Sequence, residues 1–109
     1  MHSDPKLIAR VESATRGWRN LTPKKMFGGM AWMLSGNMCI GIWHDSLVVR
    51  CDPVEWPRHL KRKHVGEMNI TGRSMRGWLL VAPPALRKTA NLTRWLETAR
   101  DYVATLPAK

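Results

Sequence analysis

Acidic side chains are scarce in this chain: eight Asp and Glu stand against eighteen Lys and Arg, a formal charge of +10. With so few carboxylates, no pair stands out for general acid–base chemistry, and most fall at helix starts or on faces that read as solvated. Cysteine is as sparse. Cys39 and Cys51 cannot build a disulfide-dense scaffold, and the opening Met1-His2-Ser3-Asp4-Pro5-Lys6 has no apolar stretch of a secretory leader. The expectation is a cytoplasmic protein with two reduced, buried thiols. No apolar run approaches the roughly 18 residues of a membrane span, so no membrane partner is expected. Repeats, low-complexity tracts and a second-domain boundary are absent too, leaving residues 1–109 as a single domain.

What is present is a hydrophobic fraction of 44%, enough for one core. Folding a chain of this length buries only about two thirds of its unfolded surface, so a homodimer is a route to further burial. The positive charge sets up a long-range field that favours nucleic acid, an anionic surface or an acidic protein.

Ser3 or Asp4 can cap a helix with Pro5 in its first turn, and Leu7, Ile8, Val11 and Ala14 then form one apolar stripe. Gly17 ends this helix, Trp18 is an anchor beyond it, and Asn20 to Pro23 read as a connection. From Lys25 to Cys51 the period becomes alternating, broken at Ser35-Gly36-Asn37 and His44-Asp45-Ser46. The expectation is a three-stranded antiparallel meander. With Asp45 and Ser46 central to the second turn, Ile42 faces Val49 and Ile40 faces Cys51, and Ala31 and Met33 share their side. The opposite side then carries Met30, Trp32, Leu34, Cys39, Gly41, Trp43, Val48 and Arg50, too apolar to stand open to water. Either another element of the chain covers it, or Trp32, Trp43, Val48 and Arg50 belong to a dimer or partner surface.

Asp52 to Glu55 resembles a capped helix start, with Glu55 set for the reciprocal contact, although Pro57 moves the regular helix toward Trp56. Arg58 to Lys63 form its basic half. Glu67–Ile70 and Trp78–Val81 read as a hairpin around Thr71-Gly72-Arg73-Ser74. After Pro83-Pro84, Leu92, Trp95, Leu96, Ala99, Tyr102, Val103 and Leu106 recur at helical spacing. The result is a two-layer α+β domain, an antiparallel sheet with helices in the order α-β-β-β-α-β-β-α.

Lys25-Met26-Phe27-Gly28-Gly29, Gly36-Asn37-Met38-Cys39, Leu47-Val48-Val49-Arg50, Thr71-Gly72-Arg73-Ser74-Met75-Arg76-Gly77-Trp78 and Leu92-Thr93-Arg94-Trp95 together resemble the TfoX N-terminal domain family, in order and over nearly the whole chain. The resemblance implies that family's antiparallel sheet and helices, and an association with bacterial competence-gene control. It supplies no catalytic constellation. The second, C-terminal domain of the longer competence regulators is not expected here.

The residues agree on the absence of a catalyst. Gly28-Gly29 lacks the spacing and the Lys-Ser or Lys-Thr ending of a phosphate loop and reads as a turn or bulge. Cys39 and Cys51 fall on opposite faces in the expected register, against a bridge or shared metal. His59 and His64 are five apart rather than at i, i+4, and His2 and His44 add no ligand spacing, so neither a metal nor a cofactor is expected. His44-Asp45-Ser46 is a turn, since three consecutive residues do not assemble a triad.

The remaining constellation is basic. Arg58, Lys61, Arg62 and Lys63 stand near one helix end, with Arg73 and Arg76 at the following turn. Lys and Arg at these positions can neutralise phosphates, with interspersed tryptophans available for base stacking where exposed. The same charges also serve as a solvated face whose tryptophans build the core. Two readings remain: a non-enzymatic regulatory or interaction domain engaging a regulatory protein, or direct nucleic-acid binding of low specificity.

Overall fold

The computed structural model describes residues 3–26, 29–69, 72 and 75–109. Its elements are α1 (Pro5–Ala14), β1 (Leu21–Met26), β2 (Gly29–Leu34), β3 (Asn37–Trp43), β4 (Ser46–Arg50), α2 (Trp56–Leu60), β5 (Val65–Glu67), β6 (Trp78–Val81), a 3-10 turn (Pro83–Leu86) and α3 (Thr89–Val103). All strands join one antiparallel sheet in the order β1-β2-β3-β4-β6-β5, giving the expected α+β class.

α1 starts as the sequence indicates. Asp4 is its N-cap, accepting from the Lys6 N–H, and Pro5 opens the first turn. Leu7 and Val11 are its buried residues, and Gly17 lies beyond it at φ 91°. The strand β1 is an addition to the meander, because Asn20 to Pro23 was expected as a connection and instead leads into an edge strand. Pro23, Lys24 and Lys25 suit that edge, where proline removes no needed ladder bond and lysines discourage pairing with another chain.

The two breaks become two-residue turns. Ser35 and Gly36, at φ 50° and 85°, connect Leu34 to Asn37, the left-handed pair that matches strand twist. His44 and Asp45 connect Trp43 to Ser46, so Ile42 faces Leu47 and Ile40 faces Val49, two residues away from the expected register. A shift of two keeps every side chain of that pair on its expected face.

The β2–β3 pair departs further. A bulge between Trp32 and Met33 lets two residues of β3 oppose one step of β2, pairing Met30 with Ile42, Ala31 with Gly41 and Trp32 with Ile40. Met30 and Trp32 therefore sit on the side of Ile40 and Ile42, and Ala31 on the other, the reverse of expectation. Cys39, at the bulge, joins Cys51 in one buried cluster rather than opposing it across the sheet, and both remain free thiols.

The core lies between this side of the sheet and the helices. Trp32, Ile40, Ile42, Leu47, Val49, Leu79 and Val81 pack with Leu7 and Val11 of α1 and with Leu92, Trp95, Leu96, Ala99 and Val103 of α3. Each large aliphatic side chain removed from water there contributes about 1.5–3 kcal/mol. On the reverse side Ala31 and Val48 are only 1% and 2% exposed, and Met26, Met38 and Met68 line a small cavity against Gly41, Trp43 and Val48. That face is thus covered by the chain's own methionines, whose flexible thioethers fill irregular gaps. β5 ends at Glu67, earlier than expected, and Ile70, Thr71, Arg73 and Ser74 of the expected hairpin lie outside the described residues, as do Phe27 and Gly28.

Candidate functional site

The basic constellation is built around α2. Past β4, the Asp52 side chain accepts from the Val54 N–H at 2.9 Å, and the chain turns into a helix with Pro57 in its opening turn. Glu55 does not make the expected reciprocal cap. Its carboxylate accepts instead from Arg58 Nε and Nη2 at 2.8 and 2.6 Å. The Trp56 indole N–H donates to the Trp78 carbonyl at 2.8 Å, tying the start of α2 to β6. Lys61, Arg62 and Lys63 come directly after the last helical residue.

Arginines cover the faces of the tryptophans around this helix. Arg76 lies 5.5 Å from the Trp56 ring centre and Arg62 4.4 Å from that of Trp95. Arg50 lies 5.2 Å from Trp78 and 6.0 Å from Tyr102, and Arg100 lies 4.8 Å from Trp18. Such contacts are worth about 0.5–1 kcal/mol at exposed sites, and they hold the guanidinium plane while leaving N–H donors at its edge. Four of the six tryptophans, Trp18, Trp56, Trp78 and Trp95, are thus already faced by the chain's own cations.

The expected nucleic-acid residues divide accordingly. Lys61, Arg62, Lys63 and Arg76 are exposed, and among the described residues none is within ion-pair distance of a carboxylate. Arg76 stands at the start of α2 and the lysines at its end, separated by about 7.5 Å of helix rise. Arg58 is set apart by its pairing with Glu55, and Arg73 lies outside the described residues.

The expected partner surface does not come together as one exposed patch. Trp32 is 3% exposed within the core, and Val48 is buried on the reverse face. Trp43 is half-buried with His44 edge-on to its ring at 4.9 Å, and Arg50 is half-buried against Trp78 and Tyr102. Among the described residues Val54 is the exposed large hydrophobic side chain, and it lies elsewhere, before α2.

His59, weighed in the sequence only for its spacing from His64, is buried at 6% exposure, its ring edge-on to Trp95 with centres 5.6 Å apart. Its Nδ1 has no hydrogen-bond partner. Burial, reinforced by the charges of Arg58 and Arg62, holds its pKa below the ordinary histidine value. The readable signal was its spacing: Trp56, His59 and Leu60 form the inward stripe of a short helix. Burial also pushes the Cys39 thiol up to about 12 against the lowering effect of Arg50 and Arg100, and Cys51 up to about 11 with Asp52 and Glu55 adding to the effect. Neither is an activated nucleophile at neutral pH. Among the described residues no three His, Cys, Asp or Glu side chains are grouped to hold a metal ion, and no helix is long and apolar enough to cross a membrane.

The model of the TfoX N-terminal domain matches residues 13–102, from the last turn of α1 to the last turn of α3. No curated protein and no solved structure matches the chain.

Proposed function

Because the chain belongs to the TfoX N-terminal domain family, we propose that it is a non-enzymatic, cytoplasmic regulatory domain that acts by engaging another macromolecule, in a role linked to competence or transcriptional control. The observation that carries this reading is the match itself, which spans all six strands and most of α3. The raised thiol pKa values are in keeping with it, since they remove the two cysteines as ready nucleophiles. The experiment is to delete and to overproduce the protein in its native cell and measure transcripts of the DNA-uptake genes. Opposite shifts in the two strains are expected, and unchanged transcripts in both would remove the link to competence.

A second reading, direct nucleic-acid binding of low specificity, is favoured by the exposed rim of Lys61, Arg62, Lys63 and Arg76 along α2. Two of its arginines are ordered in advance on indole faces, which lowers the entropy lost when they meet a phosphate. Titrating labelled duplex and single-stranded DNA at several salt concentrations tests it. Affinity falling steeply with salt is expected, and no binding at low salt rejects the reading.

A further inference from the structure

Methionines from three separate elements converge on the reverse face of the sheet. Met26 ends β1, Met38 lies in β3, and Met68 follows β5, where its carbonyl accepts from the Met75 N–H at 3.2 Å. With Gly41, Trp43 and Val48 they line a cavity of about 20 Å³. We propose that this cavity is a binding site for a soft monovalent cation of the copper(I) class, held by the three thioether sulfurs against the Trp43 ring.

The first observation that points to such an ion is the chemistry of the lining. The volume admits one water-sized guest, but a water needs about two to four polar partners, and no lining side chain carries a charge, a hydroxyl or an amide. The donors present are thioethers, weak hydrogen-bond acceptors but soft ligands that select copper(I). No imidazole, thiolate or carboxylate lines the cavity to hold zinc or a hard cation.

Trp43 supplies the second. Among the described residues Trp18, Trp56, Trp78 and Trp95 are faced by arginines and Trp32 lies in the core, whereas no arginine stacks on Trp43. His44 meets the ring edge-on at 4.9 Å, and the ring also lines the cavity, where its π electrons attract a cation.

Gly41 supplies the third. A glycine inside a strand weakens it and marks places where a group approaches the backbone closely. A Cβ here would lie 3.0 Å from Met38 Cε and 3.4 Å from Val48 Cβ, so glycine makes room for the Met38 side chain over β3. Entry does not require the core to open, because Met26 and Met38 are half-buried rather than sealed. Unbranched thioether side chains then adjust around the ion. A chain at +10 repels cations, and a monovalent ion adds least to that repulsion.

Cys39 and Cys51 are the competing soft donors, but both are buried and keep their protons at neutral pH. Silver(I), a redox-inert stand-in for copper(I), is titrated in chloride-free buffer into the full chain with isotope-labelled methionine methyl groups, and the resonances are followed by NMR. At the first equivalent the Met26, Met38 and Met68 methyls and the Trp43 indole should shift together and saturate. Met38→Leu and Met68→Leu keep the packing volume and each remove one sulfur, so each should weaken binding by about tenfold or more. Zinc should leave all four resonances unmoved. Absence of saturable binding, first-equivalent binding that spares the three methyls as capture by Cys39 or Cys51 would, affinity unmoved by both leucine substitutions, or zinc moving the same resonances would each overturn the proposal.

Discussion

Ser3 and Gly29 meet where the chain's first residues cross the sheet: a Cβ on residue 29 would lie 2.7 Å from Ser3 Oγ and 2.6 Å from the Ile42 carbonyl oxygen. The same hydroxyl accepts from the Met30 N–H at 2.8 Å and donates to Ile42 O at 3.1 Å, while the Asp4 N–H donates to His44 O at 2.7 Å. The second glycine of the Gly28-Gly29 pair therefore serves close approach of backbone to backbone. Gly29→Ala is expected to destabilise the fold by about 1–3 kcal/mol through overpacking. Ser3→Ala should cost about 1–3 kcal/mol by leaving a buried donor and acceptor unmet. Denaturant unfolding of both variants and of the double variant checks this, and because the sites touch, the costs should fail to add.

The turn Ser35-Gly36 is clasped by the C-terminal residues. The Lys109 N–H donates to Ser35 O at 2.8 Å and the Asn37 side-chain amide to Pro107 O at 2.9 Å. At Gly36, φ is 85° and a Cβ would lie 2.7 Å from Lys109 O. Removing residues 107–109 should cost about 1–3 kcal/mol, since Asn37 is buried and loses its acceptor. Gly36→Ala should be less costly in the shortened chain than in the full one, because only the dihedral strain remains. Equal costs in the two backgrounds would show that the clasp does not form.

Local chemistry made the helices and turns legible. Asp4 and Pro5 mark the start of α1, and the apolar spacing from Leu92 to Val103 marks α3. Strand faces were harder, because a single bulge beside Trp32 reverses the alternation on which face assignment rests. Trp32 was consequently expected on the face opposite Ile40 and Ile42, with which it packs, and β1 escaped notice because an edge strand containing Pro23, Lys24 and Lys25 carries no apolar alternation. At the candidate site, the charges of Arg58 to Lys63 were visible, but not their division. Whether an arginine meets Glu55 or an indole depends on rotation about a five-residue helix and on partners distant in sequence.

His59 gives the fold an acid-sensitive contribution. Its folded pKa is depressed, so the unfolded chain binds a proton more readily as the pH falls through the ordinary histidine range near about 6.5. Its contribution is fully present above that range and is lost as the pH falls toward the folded value. Thermal unfolding should show a lower Tm at pH 5 than at pH 7.5, and His59→Phe, which keeps a ring against Trp95, should flatten this portion of the dependence. An unaltered pH profile in a folded variant would assign the loss to other groups.

The raised thiol pKa values bear on labelling. Cys39 and Cys51 are buried, and only the thiolate attacks efficiently. At pH 7.5 the native protein is expected to resist an aromatic disulfide reagent and to release two equivalents only when unfolded in denaturant. Rapid native labelling of either cysteine would contradict the buried cluster.

The separation of Arg58 from the other cations makes the nucleic-acid reading quantitative. A side chain that neutralises a duplex phosphate contributes about −0.9 to the slope of log affinity against log salt. Lys61→Gln, Lys63→Gln and Arg76→Gln should each make that slope shallower by up to about 0.9, the amount set by how fully each contacts phosphate. Arg58→Gln should leave it nearly unchanged, because Arg58 is held by Glu55. Arg76→Gln also removes the stacking on Trp56, at a cost in stability of about 0.5–1 kcal/mol, so its binding is compared under conditions where both proteins are folded. If Arg58→Gln lowers the slope as much as the lysine substitutions, binding follows net charge alone and the rim along α2 is not the interface.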